Sequence, residues 1–217
     1  MPVVGVFLGM GGDEHLFDPL LPEGWQALYP RWPIPEKEES LELYCRRPEF
    51  SLLENCDALL GLSFGGIMAV AYGQQLQNGT PLLLMSCGLH RRELHPLLRI
   101  PLIPPLLRVL SPERLKSWML SGAGLAGREG LALKKYIKKV NAQTYHWALR
   151  QSVIARLEPP NDALRLHGAR DPIFPQKPHM NADILPQAGH LLWRDHPEEV
   201  RSWLTKSVHS FSGPPPL

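Results

Sequence analysis

"GLSFGG", residues 61 to 66, follows the apolar run Ala58-Leu59-Leu60 and precedes the apolar stretch Ile67-Met68-Ala69-Val70-Ala71-Tyr72. Small residues thus crowd one serine where a buried strand would hand over to a helix. Two causes produce such a pattern: a tight packing turn, or a nucleophile held at the tip of one. A serine at this kind of turn takes up strained backbone angles that push its hydroxyl beyond the sheet, and a side chain at Gly61 or Gly65 would clash with the neighbouring strand or helix. The backbone N–H of Phe64, at the start of the helix, would point the same way and could donate to a developing oxyanion. Strand before, helix after and glycines on both sides make Ser63 the candidate nucleophile.

The rest of the chain supplies the sheet that such a turn needs. Val3 to Leu8 is a short, nearly unbroken apolar run ended by glycines, and Ala58 to Leu62, Pro81 to Ser86 and Ala163 to Gly168 read the same way. Runs of this kind belong to strands buried on both faces of a parallel sheet. Weaker strands are expected near Trp25 to Tyr29 and Ala182 to Leu185. Helical segments fall between them, at Ser40 to Leu53, Ile67 to Leu76 and Glu198 to Val208. Strand and helix alternating in this way predict an α/β fold, a mostly parallel sheet of about six strands flanked by helices.

The alternation fails between Gly88 and Pro160. Ser111-Pro112-Glu113-Arg114 reads as a helix start with proline at the first helical position, and Glu129 to Arg156 has helical spacing throughout. Leu94 to Leu110 is apolar but interrupted by Pro96, Pro101, Pro104 and Pro105, so it predicts short helical pieces over a hydrophobic surface. The expected organisation is a core of residues 1–88 and 161–211, a helical insertion over 89–160, and a disordered tail at 212–217.

Composition excludes several classes. The 217 residues suit one domain, and 23 Lys+Arg against 21 Asp+Glu leave a net charge of +2, no footprint for nucleic acid. Cys45, Cys56 and Cys87 are odd in number and lack CxxC spacing, so neither a disulfide framework nor a zinc site is expected. No window approaches the roughly 20 apolar residues of a membrane span, and the N-terminus lacks the basic region and cleavage site of a signal peptide. The expectation is a soluble cytoplasmic protein.

Two further residues complete a chemistry. Asp171, in His167-Gly168-Ala169-Arg170-Asp171-Pro172-Ile173-Phe174-Pro175, stands just past the carboxyl end of a predicted strand, where open α/β sheets assemble their sites. His190, in Ala188-Gly189-His190-Leu191-Leu192, follows the next. Taken singly, Asp171 could be the start of an Asp-Pro turn and His190 a satisfied histidine at a helix start. Their joint order with Ser63 makes them a candidate acid and base. Asp162 precedes its strand and should lie at the opposite edge of the sheet, while Asp195 and His196 look like helix-cap residues. Lys134, Lys135, Lys138 and Lys139 recur at helical spacing and read as a solvated face.

With these segments in place the chain resembles the α/β-hydrolase fold superfamily. "GLSFGG", "LHGARDPIFP" and "AGHLLWRDHPEEV" are similar to that family's nucleophile elbow, acid loop and histidine loop, in the family's order. "FLGMGGDEHLF" is similar to the loop after the first core strand, which implies that Met10, after Gly9, gives the second oxyanion-hole N–H. Leu8 replaces the histidine common at its position, and because Val3 already matches the strand before this loop, the resemblance implies a compact version expected to lack the two leading strands of many members. The insertion matches the family's variable helical cap. The resemblance implies a serine hydrolase acting through Ser63, His190 and Asp171 on a small or medium acyl ester, thioester or amide, with no metal or organic cofactor. Trp118, Trp147 and Trp193 are candidates to line a pocket for this small-molecule acyl substrate, or else belong to the core. The rival from another class is a non-catalytic protein of the same fold that binds a ligand or partner.

Overall fold

A computed structural model describes residues 1–122 and 127–211. The segment 212–217, expected as a tail, lies outside them. In chain order the elements are β1 (Val3–Phe7), α1 (Glu14–Phe17), β2 (Gln26–Leu28), α2 (Leu41–Cys45), β3 (Ala58–Leu62), α3 (Phe64–Leu76), β4 (Leu82–Met85), α4 (Ile103–Val109), α5 (Pro112–Gly122), α6 (Gly127–Lys139), α7 (Ala142–Ile154), β5 (Leu164–Gly168), β6 (Asp183–Leu185), α8 (Leu192–Asp195) and α9 (Pro197–Phe211). Among the described residues, six strands form one sheet in the order β2-β1-β3-β4-β5-β6. All five pairings are parallel. The weak runs at 25–29 and 182–185 are the two edge strands.

Each strand buries alternate residues on opposite faces, as the pleat demands. In β3, Leu59 joins an apolar layer with Phe7, Phe50, Ile67 and Met68. Leu60 and Leu62 join the other layer, with Val4, Val6, Leu83, Trp203 and Leu204. Because both faces are covered, β3 and β4 are buried along their whole length, which is why neither shows the polar alternation of a half-exposed strand. Each fully buried leucine contributes about 1.5 to 3 kcal/mol.

Two helical readings change in detail. The segment 40–53 is not one helix: α2 ends at Cys45 and a 3-10 turn runs from Pro48 to Leu53. Arg47 between them is extended, with ψ 145°, since the ring of Pro48 disfavours helical angles in the residue before it. The segment 129–156 is two helices, because the Asn141 side chain accepts from the N–H groups of Gln143 and Thr144 and so starts α7 afresh. Leu94 to Leu110 breaks at its prolines into a 3-10 turn, Pro96–Arg99, and α4.

Helices α4 to α7 lie between β4 and β5 and hold an apolar cluster of their own, with Leu107, Leu115, Tyr145, Leu149 and Val153. Phe174 and Met10, from the loops after β5 and β1, complete that cluster, so the helical segment sits over the carboxyl ends of the strands. Between its first residues and the sheet lies a buried ion pair, Arg165 to Glu93 at 3.1 Å, whose carboxylate also accepts from the Leu89 N–H at 2.7 Å. No helix among the described residues is long and apolar enough to cross a membrane.

Candidate active site

The chain leaves β1 and β3 on either side of the point where the strand order reverses. In open parallel sheets this is where a crevice forms beyond the carboxyl ends. Ser63 stands there, between β3 and α3, with φ 56° and ψ −122°, a positive-φ conformation that few non-glycine residues adopt. The turn is tight because three backbones touch. A methyl on Gly61 would lie 2.5 Å from the Gly66 Cα, and one on Gly65 would overlap the Phe7 carbonyl oxygen. Only hydrogen fits at either place, so the glycines let α3 start directly against β1 and β3. Phe64 is the first residue of α3, and the first N–H groups of a helix have no partner within it.

The side chains of Ser63, His190 and Asp171 meet. His190 Nε2 lies 2.9 Å from Ser63 Oγ, and His190 Nδ1 lies 2.8 Å from Asp171 Oδ2. The other Asp171 oxygen accepts from the N–H groups of Ile173 at 2.8 Å and Phe174 at 2.9 Å. Asp171 and His190 are buried, whereas Ser63 is half-buried and reachable. A carboxylate accepts only, so His190 Nδ1 carries hydrogen and its neutral Nε2 is free to accept from the serine hydroxyl. The rings of Phe174 and Trp193 flank the imidazole at 5.6 and 6.3 Å.

On the opposite side of Ser63 is Gly9, where a methyl would come 3.1 Å from the serine Cβ. Met10 follows, and the loop Gly9 to Asp13 forms one wall of a cavity of about 600 Å3 whose far wall is Tyr29 to Trp32, Val140 and Thr144. The triad side chains do not line it; it adjoins them through Gly9 and Met10. Nor do the three tryptophans. Trp118 is 66% exposed on α5. Trp147 is buried, with its indole N–H donated to the Glu39 carbonyl and its ring edge-on to Phe64 at 5.6 Å. Trp193 packs against His190. Asp162 is exposed before β5, and Asp195 and His196 fall at the junction of α8 and α9.

Two neighbours of the site escaped the sequence reading. His167, on β5, is buried, and its Nε2–H donates to the Phe174 carbonyl at 2.7 Å, steadying the loop that carries Asp171. Burial holds its pKa below the ordinary histidine value, so despite lying 3.6 Å from Asp171 Oδ2 it is read as neutral. Its place in a strand run masked it. Glu129, at the start of α6, accepts from the Leu191 N–H at 2.9 Å. The two are 62 residues apart, and no local pattern signals the contact. Among the described residues no cluster of three or more His, Cys, Asp or Glu could hold a metal ion.

The family model described as "Alpha/beta hydrolase family" matches residues 7–203, nearly the whole chain. The chain belongs to the alpha/beta hydrolase family. This alpha/beta hydrolase is similar to a solved hydrolase from Pseudomonas aeruginosa PA01, with 18% identity, a TM-score of 0.65, and coverage of 98% of this chain and 90% of that one. It is similar also to an enol-lactonase from Burkholderia xenovorans LB400, with 16% identity, TM-score 0.66, and coverage of 96% and 91%. A meta-cleavage product hydrolase from Pseudomonas fluorescens IP01 superposes with TM-score 0.65 at 14% identity, over 97% of this chain and 91% of that one. At such identities the likeness is one of fold. No curated relative matches the sequence. Hydrolytic chemistry follows from membership of the family, and the bond cleaved has to be argued from the site.

Proposed function

We propose that this alpha/beta hydrolase cleaves a small or medium acyl ester through a Ser63-His190-Asp171 triad and an acyl-enzyme intermediate. One observation carries the reading: an unbroken line of hydrogen bonds, 2.9 and 2.8 Å long, from the hydroxyl of a serine at a strained turn through an imidazole to a buried carboxylate. His190 Nε2 takes the proton as Ser63 Oγ bonds to the substrate carbonyl carbon. Asp171 holds the imidazole tautomer and stabilises the imidazolium. The N–H groups of Phe64 and Met10 receive the oxyanion, each worth about 3 to 4 kcal/mol in such a site. The tetrahedral carbon then expels its alkoxide, which leaves with the proton from His190, and Ser63 stays acylated. Water, deprotonated by the same Nε2, attacks the acyl carbon and releases the acid and the free serine.

A cavity beside the proposed oxyanion donors, walled by Gly9 to Asp13 and by Tyr29 to Trp32, is open to the acyl chain. Its volume of about 600 Å3 suits a small or medium ligand. The insertion, as a cap, closes it with Val140 and Thr144. The test is hydrolysis of a series of 4-nitrophenyl esters of rising acyl length by wild type and Ser63→Ala. We expect turnover that peaks at short to medium chains and falls by about 10^4-fold or more in the variant. Equal turnover in the two proteins, or none in folded wild type, overturns the proposal.

A further inference from the structure

We propose that Glu129, carried on α6 of the helical insertion, is a positioning residue for His190, so that the base is held in register from outside the sheet. This rests on the serine-hydrolase reading above. Glu129 Oε1 accepts the N–H of Leu191, the residue after His190. On the other side of the histidine, a methyl on Gly189 would overlap the same carboxylate, so that carboxylate presses directly on the Gly189 backbone. Both chain neighbours of His190 are therefore in contact with one side chain that is 62 residues away along the sequence.

The Leu191 carbonyl accepts from the Arg194 and Asp195 N–H groups at 2.9 and 3.1 Å and its side chain is buried, while its own N–H goes to Glu129. Upstream the loop is pinned by Ala188, whose carbonyl accepts from the Arg170 N–H at 2.9 Å, and downstream α8 begins only at Leu192. Leu191 has no side chain of its own element capping the turn. The imidazole is aimed by Asp171 and flanked by Phe174 and Trp193, and the Glu129 carboxylate touches the backbone on both sides of it. A carboxylate accepting from an amide N–H is a stronger restraint than a neutral pair. A displacement of about 1 Å at a reacting group costs about 10^2-fold in rate. Glycine at 189 is consistent with this role, since any larger residue would push the carboxylate off.

The test compares wild type with Glu129→Gln, Glu129→Ala, Glu129→Asp and Gly189→Ala, measuring kcat and KM on the best ester. Each kcat is divided by the fraction of chains labelled once the fluorophosphonate reaction has run to completion, so that misfolded protein is not counted and slow labelling does not enter. Gln still offers an oxygen at the same reach, and its kcat should stay within about threefold of wild type. Ala removes the acceptor and Asp withdraws it by one methylene. Each should lower kcat by about 10- to 100-fold with KM within about threefold, and Gly189→Ala should do the same. A purely structural contact would lower the melting temperature and the labelled fraction and leave the corrected kcat unchanged. If Glu129→Ala does not fold, Glu129→Asp supplies the deciding comparison. The proposal is overturned if the corrected kcat of the Ala or Asp variant stays within twofold of wild type, or if Asp behaves as wild type and Gln as Ala. Loss of the parent reading would look different: wild type itself would show no turnover dependent on Ser63.

Discussion

Asp171→Asn separates the role of the acid from its place in the fold. The carboxylate makes three hydrogen bonds, one to His190 Nδ1 and two, through Oδ1, from the backbone N–H groups of Ile173 and Phe174. An asparagine has one oxygen to give. Turning it toward His190 would leave two buried N–H groups facing an NH2, at about 1 to 3 kcal/mol for each orphaned donor. Leaving it at Oδ1 keeps both bonds and presents the NH2 to His190, which outweighs the alternative. The amide then donates to Nδ1, so the imidazole carries its hydrogen on Nε2 and points it at Ser63. In that tautomer the base has no lone pair for the serine proton. We expect kcat to fall by about 10^4-fold, equivalent to about 5.5 kcal/mol of barrier, while the melting temperature barely moves because both backbone bonds survive and the third is kept with donor and acceptor exchanged. Initial rates on a 4-nitrophenyl ester, with thermal melts of both proteins, measure this. A loss of less than tenfold in a folded variant would refute the assignment of Asp171 as the group that sets the tautomer.

Three further outcomes follow from the geometry. Gly65→Ala drives a methyl into the Phe7 carbonyl, backbone against backbone, and should destabilise by about 3 kcal/mol, a fall in melting temperature of about 6 to 12 °C; an unchanged melt refutes the packing account. His167 is held neutral by burial, with its folded pKa below the unfolded one. The unfolded chain therefore binds more protons as pH falls below about 6.5, and stability is full above that value and lost beneath it. Melts from pH 8 to 5 should show this slope flattened in His167→Gln, and identical slopes would count against it. The thiols of Cys45, Cys56 and Cys87 are buried, and burial pushes them up to about 12, 11 and 11. Iodoacetamide at pH 8 should leave the folded chain unalkylated and modify all three cysteines in urea, and rapid alkylation of native protein would contradict that burial.

What could be read from the sequence was local. The β3 run, the glycines around Ser63 and the breaks at prolines follow from rules acting over a few residues, and even the three-residue edge strands β2 and β6 left a trace. The two helices that divide did so locally too, under stronger neighbours: Pro48 forces Arg47 out of the helix, and Asn141 caps a new one inside a run that kept its spacing. The contacts of the site were not legible beyond its three principal residues. Glu129 meets Leu191 only because α6 folds back over the sheet. His167 looks like any strand residue until the Phe174 carbonyl is placed beside it. Trp118 faces outward and Trp147 fills the core, while backbone glycines and Tyr29 to Trp32 form the cavity wall.

The central claim is that Ser63 is an activated nucleophile. Intact mass after treatment with a fluorophosphonate tests it most directly, on wild type, Ser63→Ala and His190→Ala. We predict a single adduct on wild type, none on Ser63→Ala and slow labelling of His190→Ala. Folded wild type that takes up no adduct, or an adduct that persists in Ser63→Ala, would contradict it.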